Sequence, residues 1–328
     1  MQVRSWSKEQ RALFAEALRQ GVPVELVLEA GIGRGVRGKR NIRIDEVAPL
    51  VDSIRIADPD LQAAAEAWCA PPAKRDRSER VTVVIPCNRG IPLGLKALLE
   101  QDVDVDVLIL SNGPGPFSVD GARVVRVPWE GHGRTRARAI EHIESDFVFF
   151  TVDDAIPMGL GCLGVLVDAL KQGSWDAVMA RQVPWPDADA VTASRLRRWT
   201  PPGHRVTVCA QTDHVATMMR TETLRSYPIP SVPIAEDAWW SIDRKIGYVP
   251  MAPVLHSHAR EPGVLFERNR AIHAQLVAMG HAPTVPNFAA WLKALPGLVR
   301  PSLAGGPGEL ANQLAELTGQ WLGAARGE

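Results

Sequence analysis

Between residues 234 and 258 the chain carries an acid pair, Glu236 and Asp237, and a histidine pair, His256 and His258. A carboxylate at a helix start meets free backbone N–H groups and the positive end of the dipole, which favour its ionised form. Residues 234–240 read as such a start. Residues 248–255 read as a strand that brings two imidazoles, at i and i+2, to one face of a sheet edge. A carboxylate base beside a metal-ligating imidazole suits chemistry on a phosphorylated substrate. Two more acids, Asp153 and Asp154, follow the apolar run 147–152, where carboxylates can hold a hard divalent cation that carries substrate phosphates. Two loops complete the set. Pro86-Cys87-Asn88-Arg89-Gly90 has backbone and side chains that could meet a nucleotide, and Ser111-Asn112-Gly113-Pro114-Gly115 is a turn of small residues that a ligand could approach.

Each feature also has a plain structural reading. Acids after a strand cap helices. One histidine of a pair is often a satisfied structural group. The chain has 10 tryptophans against 2 tyrosines, and Trp129, Trp185, Trp199, Trp239 and Trp240 fall near the candidate loops, where an indole could stack on a sugar; core packing competes for each of them.

The elements that must position these residues are legible as a change of pattern. Residues 7–70 read as helical, with a Gly/Arg-rich loop at 31–43, and residues 70–80 as a polar, proline-containing linker. From residue 81 short β-branched runs (81–86, 105–110, 123–127, 147–152, 177–180) alternate with helix-length segments (91–100, 134–144, 159–172). That alternation predicts an α/β fold with a mostly parallel sheet, whose ligands lie off the carboxyl ends of the strands. Helices follow at 262–279, 287–295 and beyond 308, the last with Leu310, Leu314, Leu317 and Trp321 along one stripe. The stripe reads as a packing face against the body, with a homodimer interface as the alternative. The expected organisation is an N-terminal helical segment 1–72, a linker 73–80, a catalytic domain 81–260 and a C-terminal helical extension 261–328.

Composition removes several classes. The 328 residues carry zero formal net charge, so no whole-molecule field draws the chain to nucleic acid or an anionic membrane, although basic clusters occur, as at Arg34–Arg43. Four scattered cysteines make no CxxC and suit a reducing cytoplasm. The N-terminus is too polar for a signal peptide, and no run is long enough for a transmembrane segment.

Taken in order, Val-Val-Ile-Pro-x-Asn-Arg, Ser-Asn-Gly, Gly-Arg-Thr-Arg-Ala-Arg-Ala, Phe-x-x-Asp-Asp-x-x-Pro, Glu-Asp-x-Trp and His-x-His resemble a family 2 inverting glycosyltransferase of GT-A type. The match covers residues 81 to about 280, and the segment after His-x-His is loosely similar to the rhamnosyltransferase-like branch. The resemblance implies a GT-A nucleotide-diphospho-sugar transferase fold and a nucleotide-sugar donor. Pro86, Asn88, Arg89, Asn112, Arg136 and Asp153 would border that donor. Asp154, with His256 and His258, would hold Mg²⁺ or Mn²⁺. Asp237, with Glu236 beside it, would be the catalytic base, and Trp239 and Trp240 would face the acceptor. Departures are visible too. Val152 stands where the first acid of the Asp-x-Asp falls, and Ala137 replaces an asparagine after Arg136.

The expectation is a cytoplasmic, metal-dependent hexosyl- or deoxyhexosyltransferase. Its acceptor would be a polysaccharide precursor, a small natural product or, less favoured, a nucleic acid. A non-catalytic nucleotide-sugar-binding protein is the alternative. A nucleotidyltransferase ranks below it, because no Gly-rich loop with Arg and Lys follows the first strand directly.

Overall fold

The computed structural model describes residues 75–280 and 307–325, apart from 89, 114–117, 186, 187, 189, 202 and 258–260. The expected N-terminal helices, the helix at 287–295, Arg89 and His258 therefore lie outside the described residues.

Among the described residues nine strands form one sheet: β1 (Arg80–Cys87), β2 (Asp104–Ser111), β3 (Ala122–Arg126), β4 (Phe147–Thr151), β5 (Ile156–Pro157), β6 (Ala177–Val183), β7 (Thr207–Cys209), β8 (Ala216–Arg220) and β9 (Ile246–Leu255). Their order is β3-β2-β1-β4-β8-β6-β9-β5, with β7 against β9. The pairs β1–β2, β1–β4, β2–β3 and β6–β9 are parallel. β8 runs antiparallel between β4 and β6. This leaves β1, β2, β4, β6 and β9 pointing the same way, so their carboxyl ends share one edge, and the loop that leads into β8 arrives there as well.

The β-branched and aromatic runs form strands because both faces are covered. On one face α1 (Leu95–Leu99) and α3 (Cys162–Gln172) pack Leu95, Leu98, Leu163 and Leu166 against Val83, Ile109, Phe149 and Val178. On the other, Val84, Leu108, Val148 and Phe150 meet a 3₁₀ turn (Arg138–His142), which continues α2 (His132–Ala137). Leu224 of α5 (Thr221–Ser226) and Trp240 of α6 (Glu236–Trp240) pack on the same face.

β9 is not a plain strand. Its register with β6 jumps from Ala180↔Val249 to Arg181↔Pro253, so residues 250–252 are looped out. Pro250 and Pro253 lack the N–H groups a continuous ladder needs. The irregularity re-aims the ends of both strands.

The segment before β1 is anchored. Arg77 donates two bonds to Asp168, at 2.8 and 2.6 Å, and one to Asp102 at 3.0 Å. At the other end α7 (Pro262–Ala278) packs on α8 (Pro307–Ala325) through glycines: a Cβ at Gly319 or Gly323 would sit 2.3 Å from the carbonyl oxygen of Phe266 or Arg270. The expected stripe on α8 is only partly a packing face, since Leu310 and Leu314 are exposed. Arg195 of α4 (Ala190–Trp199) holds Glu316 of α8 at 2.5 Å. Among the described residues no helix is long and apolar enough to cross a membrane.

Candidate active site

Pro86, Asn88, Asn112, Asp153, Asp154 and His256 lie at or just past the carboxyl ends of β1, β2, β4 and β9. The acid pair opens α6, and the backbone there is unusual. Ala235, immediately before it, has φ 60° and ψ 26°, a left-handed conformation that costs a non-glycine residue roughly 1 kcal/mol.

Glu236 points inward. It is 3% exposed, and its Oε1 accepts a bond from Arg136 Nη1 at 2.5 Å; Arg136 is itself 5% exposed. His214, fully enclosed against the Phe150 ring, brings its Nδ1 to 3.5 Å from the same oxygen. Burial alone would raise the Glu236 pKa. The His214 contact and the Arg136 charge outweigh it and depress the group to about 2. The approach of α2 that allows this contact depends on glycine. A Cβ on Gly133 would lie 2.7 Å from Glu236 Cβ and 2.4 Å from the Val232 oxygen, and one on Gly131 (φ 98°) would lie 2.3 Å from the Pro233 oxygen. Arg136, expected at the donor, is engaged by Glu236 inside the fold.

Asp237 is half-buried. Burial raises its pKa, and the charges of Glu236 and then Asp213 raise it further, to about 6. The Ala238 N–H donates to its Oδ1 at 2.8 Å and orients the carboxylate. A carboxylate of this kind is ionised at neutral pH and basic enough to accept a proton. Ser241 ties the next loop to this helix: its hydroxyl donates to the Asp237 carbonyl at 2.6 Å and accepts from Thr212 N–H at 2.8 Å. Asp213 and His214, which follow Thr212, are thereby set beside the acid pair.

A polar chain then crosses the edge. Asp213 Oδ2 accepts from Gln182 Nε2 at 2.9 Å, Gln182 Oε1 lies 3.0 Å from His256 Nδ1, and His256 Nε2 faces Asp154 Oδ1 at 3.7 Å. Asp213, Gln182 and His256, from the loop before β8, from β6 and from the residue after β9, thus connect the surroundings of Asp237 to Asp154. Asp153 leans away, toward Cys87, whose thiol lies 3.8 Å from its Oδ2. Asn88 stands exposed at the end of β1, and Asn112 follows β2 with its N–H bonded to the Cys87 carbonyl at 3.0 Å. Gly113 allows the two loops to touch, since a Cβ there would lie 2.1 Å from the Asn88 oxygen. Pro86 is buried within β1, opposite Leu110.

The two tryptophans part company. Trp239 is 39% exposed at the rim beside Asp237. Trp240 is 4% exposed in the core, its indole N–H bonded to the Tyr227 carbonyl at 2.7 Å, which places it behind the site.

Among the described residues no group of three His, Cys, Asp or Glu side chains could hold a metal ion. Asp154 and His256 fit a smaller role. Mg²⁺-type sites commonly use one or two protein ligands, with substrate phosphates and water completing the shell.

Three residues of the network, Asp213, His214 and Gln182, carry no signal in the sequence. Arg181, next to Gln182, is also notable. Its guanidinium is buried, its Nη1 has no hydrogen-bond partner, and no carboxylate among the described residues pairs with it. Burial lowers its pKa.

No protein-family model and no curated protein matches the chain. Solved structures do align with it. One, of GalNAc-T7 with UDP, GalNAc and Mn²⁺, has a TM-score of 0.44 at 10% identity over 55% of this chain and 44% of that one. Another, of S. aureus TarS 1-349 in complex with UDP-GlcNAc, has a TM-score of 0.40 at 15% identity over 60% and 66%. The chain spans less than two thirds of the length of these proteins.

Proposed function

We propose that the chain is an inverting glycosyltransferase that moves a sugar from a nucleotide-sugar donor to an acceptor hydroxyl, with Asp237 as the base. One observation carries the reading: a half-buried aspartate of raised proton affinity is connected, through Asp213, Gln182 and His256, to Asp154, off the carboxyl ends of a mostly parallel sheet. That is where such sheets bind ligands, and the sheet with its flanking helices suits the GT-A type arrangement that the sequence resemblance implies.

In the proposed reaction the acceptor oxygen attacks the anomeric carbon as the bond to the donor diphosphate breaks. The hydroxyl proton passes to Asp237, and the electron pair leaves with the diphosphate. Asn88, Asn112 and Asp153 line the donor side, Trp239 offers an indole face to a sugar at the rim, and Glu236 holds the base in place from behind. Asp154 and His256 would hold Mg²⁺ or Mn²⁺, which when bound supplies Lewis-acid neutralisation of the leaving charge. The acceptor class follows from the resemblance alone: a polysaccharide precursor or small natural product ahead of a nucleic acid.

Val152, in place of a first metal-binding acid, favours one rival, a nucleotide-sugar binder without catalysis. A thermal-shift screen of nucleotide sugars, with and without Mn²⁺, tests the proposal because a bound donor raises apparent stability. The expected result is stabilisation by one donor class that increases with Mn²⁺ and weakens in Asp154→Asn, together with slow donor hydrolysis. Stabilisation without any hydrolysis or transfer favours the binder, and no response to any nucleotide sugar removes both readings.

A further inference from the structure

We propose that Asp213 and Gln182 are a positioning pair that holds a proton on His256 Nδ1 and turns its Nε2 toward Asp154. The direction of every bond in the chain is set from one end. Asp213 accepts on both oxygens, from the Val215 N–H at 3.1 Å on Oδ1 and from Gln182 on Oδ2 at 2.9 Å. A carboxylate oxygen at that distance must face the NH₂ end of the amide, because an amide oxygen there would meet it lone pair to lone pair. Gln182 therefore presents its carbonyl oxygen to His256 Nδ1 at 3.0 Å, which requires a proton on Nδ1. The neutral ring then carries its lone pair on Nε2, on the side of Asp154 Oδ1, 3.7 Å away.

The backbone holds this arrangement. The His256 N–H donates to the Val183 carbonyl at 2.8 Å, Thr200 Oγ1 donates to the Gln182 carbonyl at 2.9 Å, and Thr217 Oγ1 donates to the Asp213 carbonyl at 2.6 Å. After the jump in register Gln182 pairs with Val254 and Val183 with Leu255, so His256 follows directly at the strand ends. Outer partners of this kind fix ring orientation and tune affinity at metal-ligating histidines. The purpose of the pair rests on the cation reading above, whereas the tautomer is a property of the metal-free protein.

The test uses ¹⁵N-histidine-labelled protein without metal at pH 8.5, with His256 assigned by comparison with His256→Gln. The expected spectrum has Nδ1 protonated and Nε2 bare, and Gln182→Met converts it to a tautomer mixture. In parallel, Mn²⁺ binding with UDP as the probe, followed by electron paramagnetic resonance, should weaken about 10–100-fold in Gln182→Met. A proton on Nε2 in the unmodified protein overturns the inference, as does an unchanged tautomer in a folded Gln182→Met. If the tautomer is as expected but the unmodified protein with UDP binds no Mn²⁺, the positioning pair stands and the cation reading falls.

Discussion

Glu236 and Asp237 are neighbours along the chain with opposite proton affinities, and the opposition has measurable consequences. The folded pKa of Asp237 lies above the ordinary carboxylate value, so the folded protein holds that proton more tightly than the unfolded chain does. This contribution to stability is complete below about pH 4 and is lost as the pH rises through about 6. For Glu236 the sign is reversed. Its contribution is complete above the ordinary range and is lost as the pH falls through about 2. At pH 7.5 Asp237→Asn should therefore raise the unfolding midpoint, a gain that disappears at pH 3.5. Glu236→Gln should lower both the midpoint and the stability, the latter by about 3 kcal/mol, because the buried Arg136 loses its counter-charge. Thermal melts of both variants at the two pH values check the signs. The same shift places the acid limb of kcat/KM for transfer near pH 6, rather than near the value of an ordinary aspartate. A pH–rate profile with an acid limb near 4 would argue for a different base.

At the scale of elements, the site depends on how closely α2 approaches the start of α6. Gly133→Ala places a methyl group against Glu236 and the Val232 carbonyl, so it should destabilise by about 1–3 kcal/mol and reduce turnover together with stability. Denaturant melts and initial rates on the same preparations measure both effects. In the sequence the Gly-His-Gly-Arg-Thr-Arg segment is readable as a motif, but the reason for its glycines is a contact 100 residues away, between Arg136 and Glu236. The long apolar strands are legible because they are buried on both faces. β8 is not, since Ala-Thr-Met-Met-Arg has neither a β-branched run nor an alternating pattern, and its place is fixed by β4 and β6 on either side. Asp213, His214 and Gln182 escape sequence reading for a similar reason. Each is an ordinary polar residue until the sheet brings it to the edge.

Across the whole molecule two arginines, one half-buried and one buried, show how the fold treats charge. Arg77 joins the entry segment to α3 and to the loop before β2 through Asp168 and Asp102, and these contacts raise its pKa. Arg181 has no such partner among the described residues. Arg77→Leu should cost about 3 kcal/mol, since Asp102 is left buried without its cation. Arg181→Met should leave stability unchanged or increase it, because it removes a buried charge that no carboxylate among the described residues balances. Chemical denaturation of the two variants distinguishes these expectations. The sequence marks residues 70–80 as a boundary by their polarity and prolines. It does not reveal that Arg77, within that stretch, is pinned to the body.

The central claim is that Asp237 takes the proton of the attacking hydroxyl. It is tested most directly by comparing transfer and donor binding in Asp237→Asn with those of the unmodified protein, once a donor has been found. The expected result is a fall in kcat of about 10²–10⁴-fold with donor affinity preserved. Turnover within a few-fold of the unmodified protein, at the same donor affinity, would contradict it.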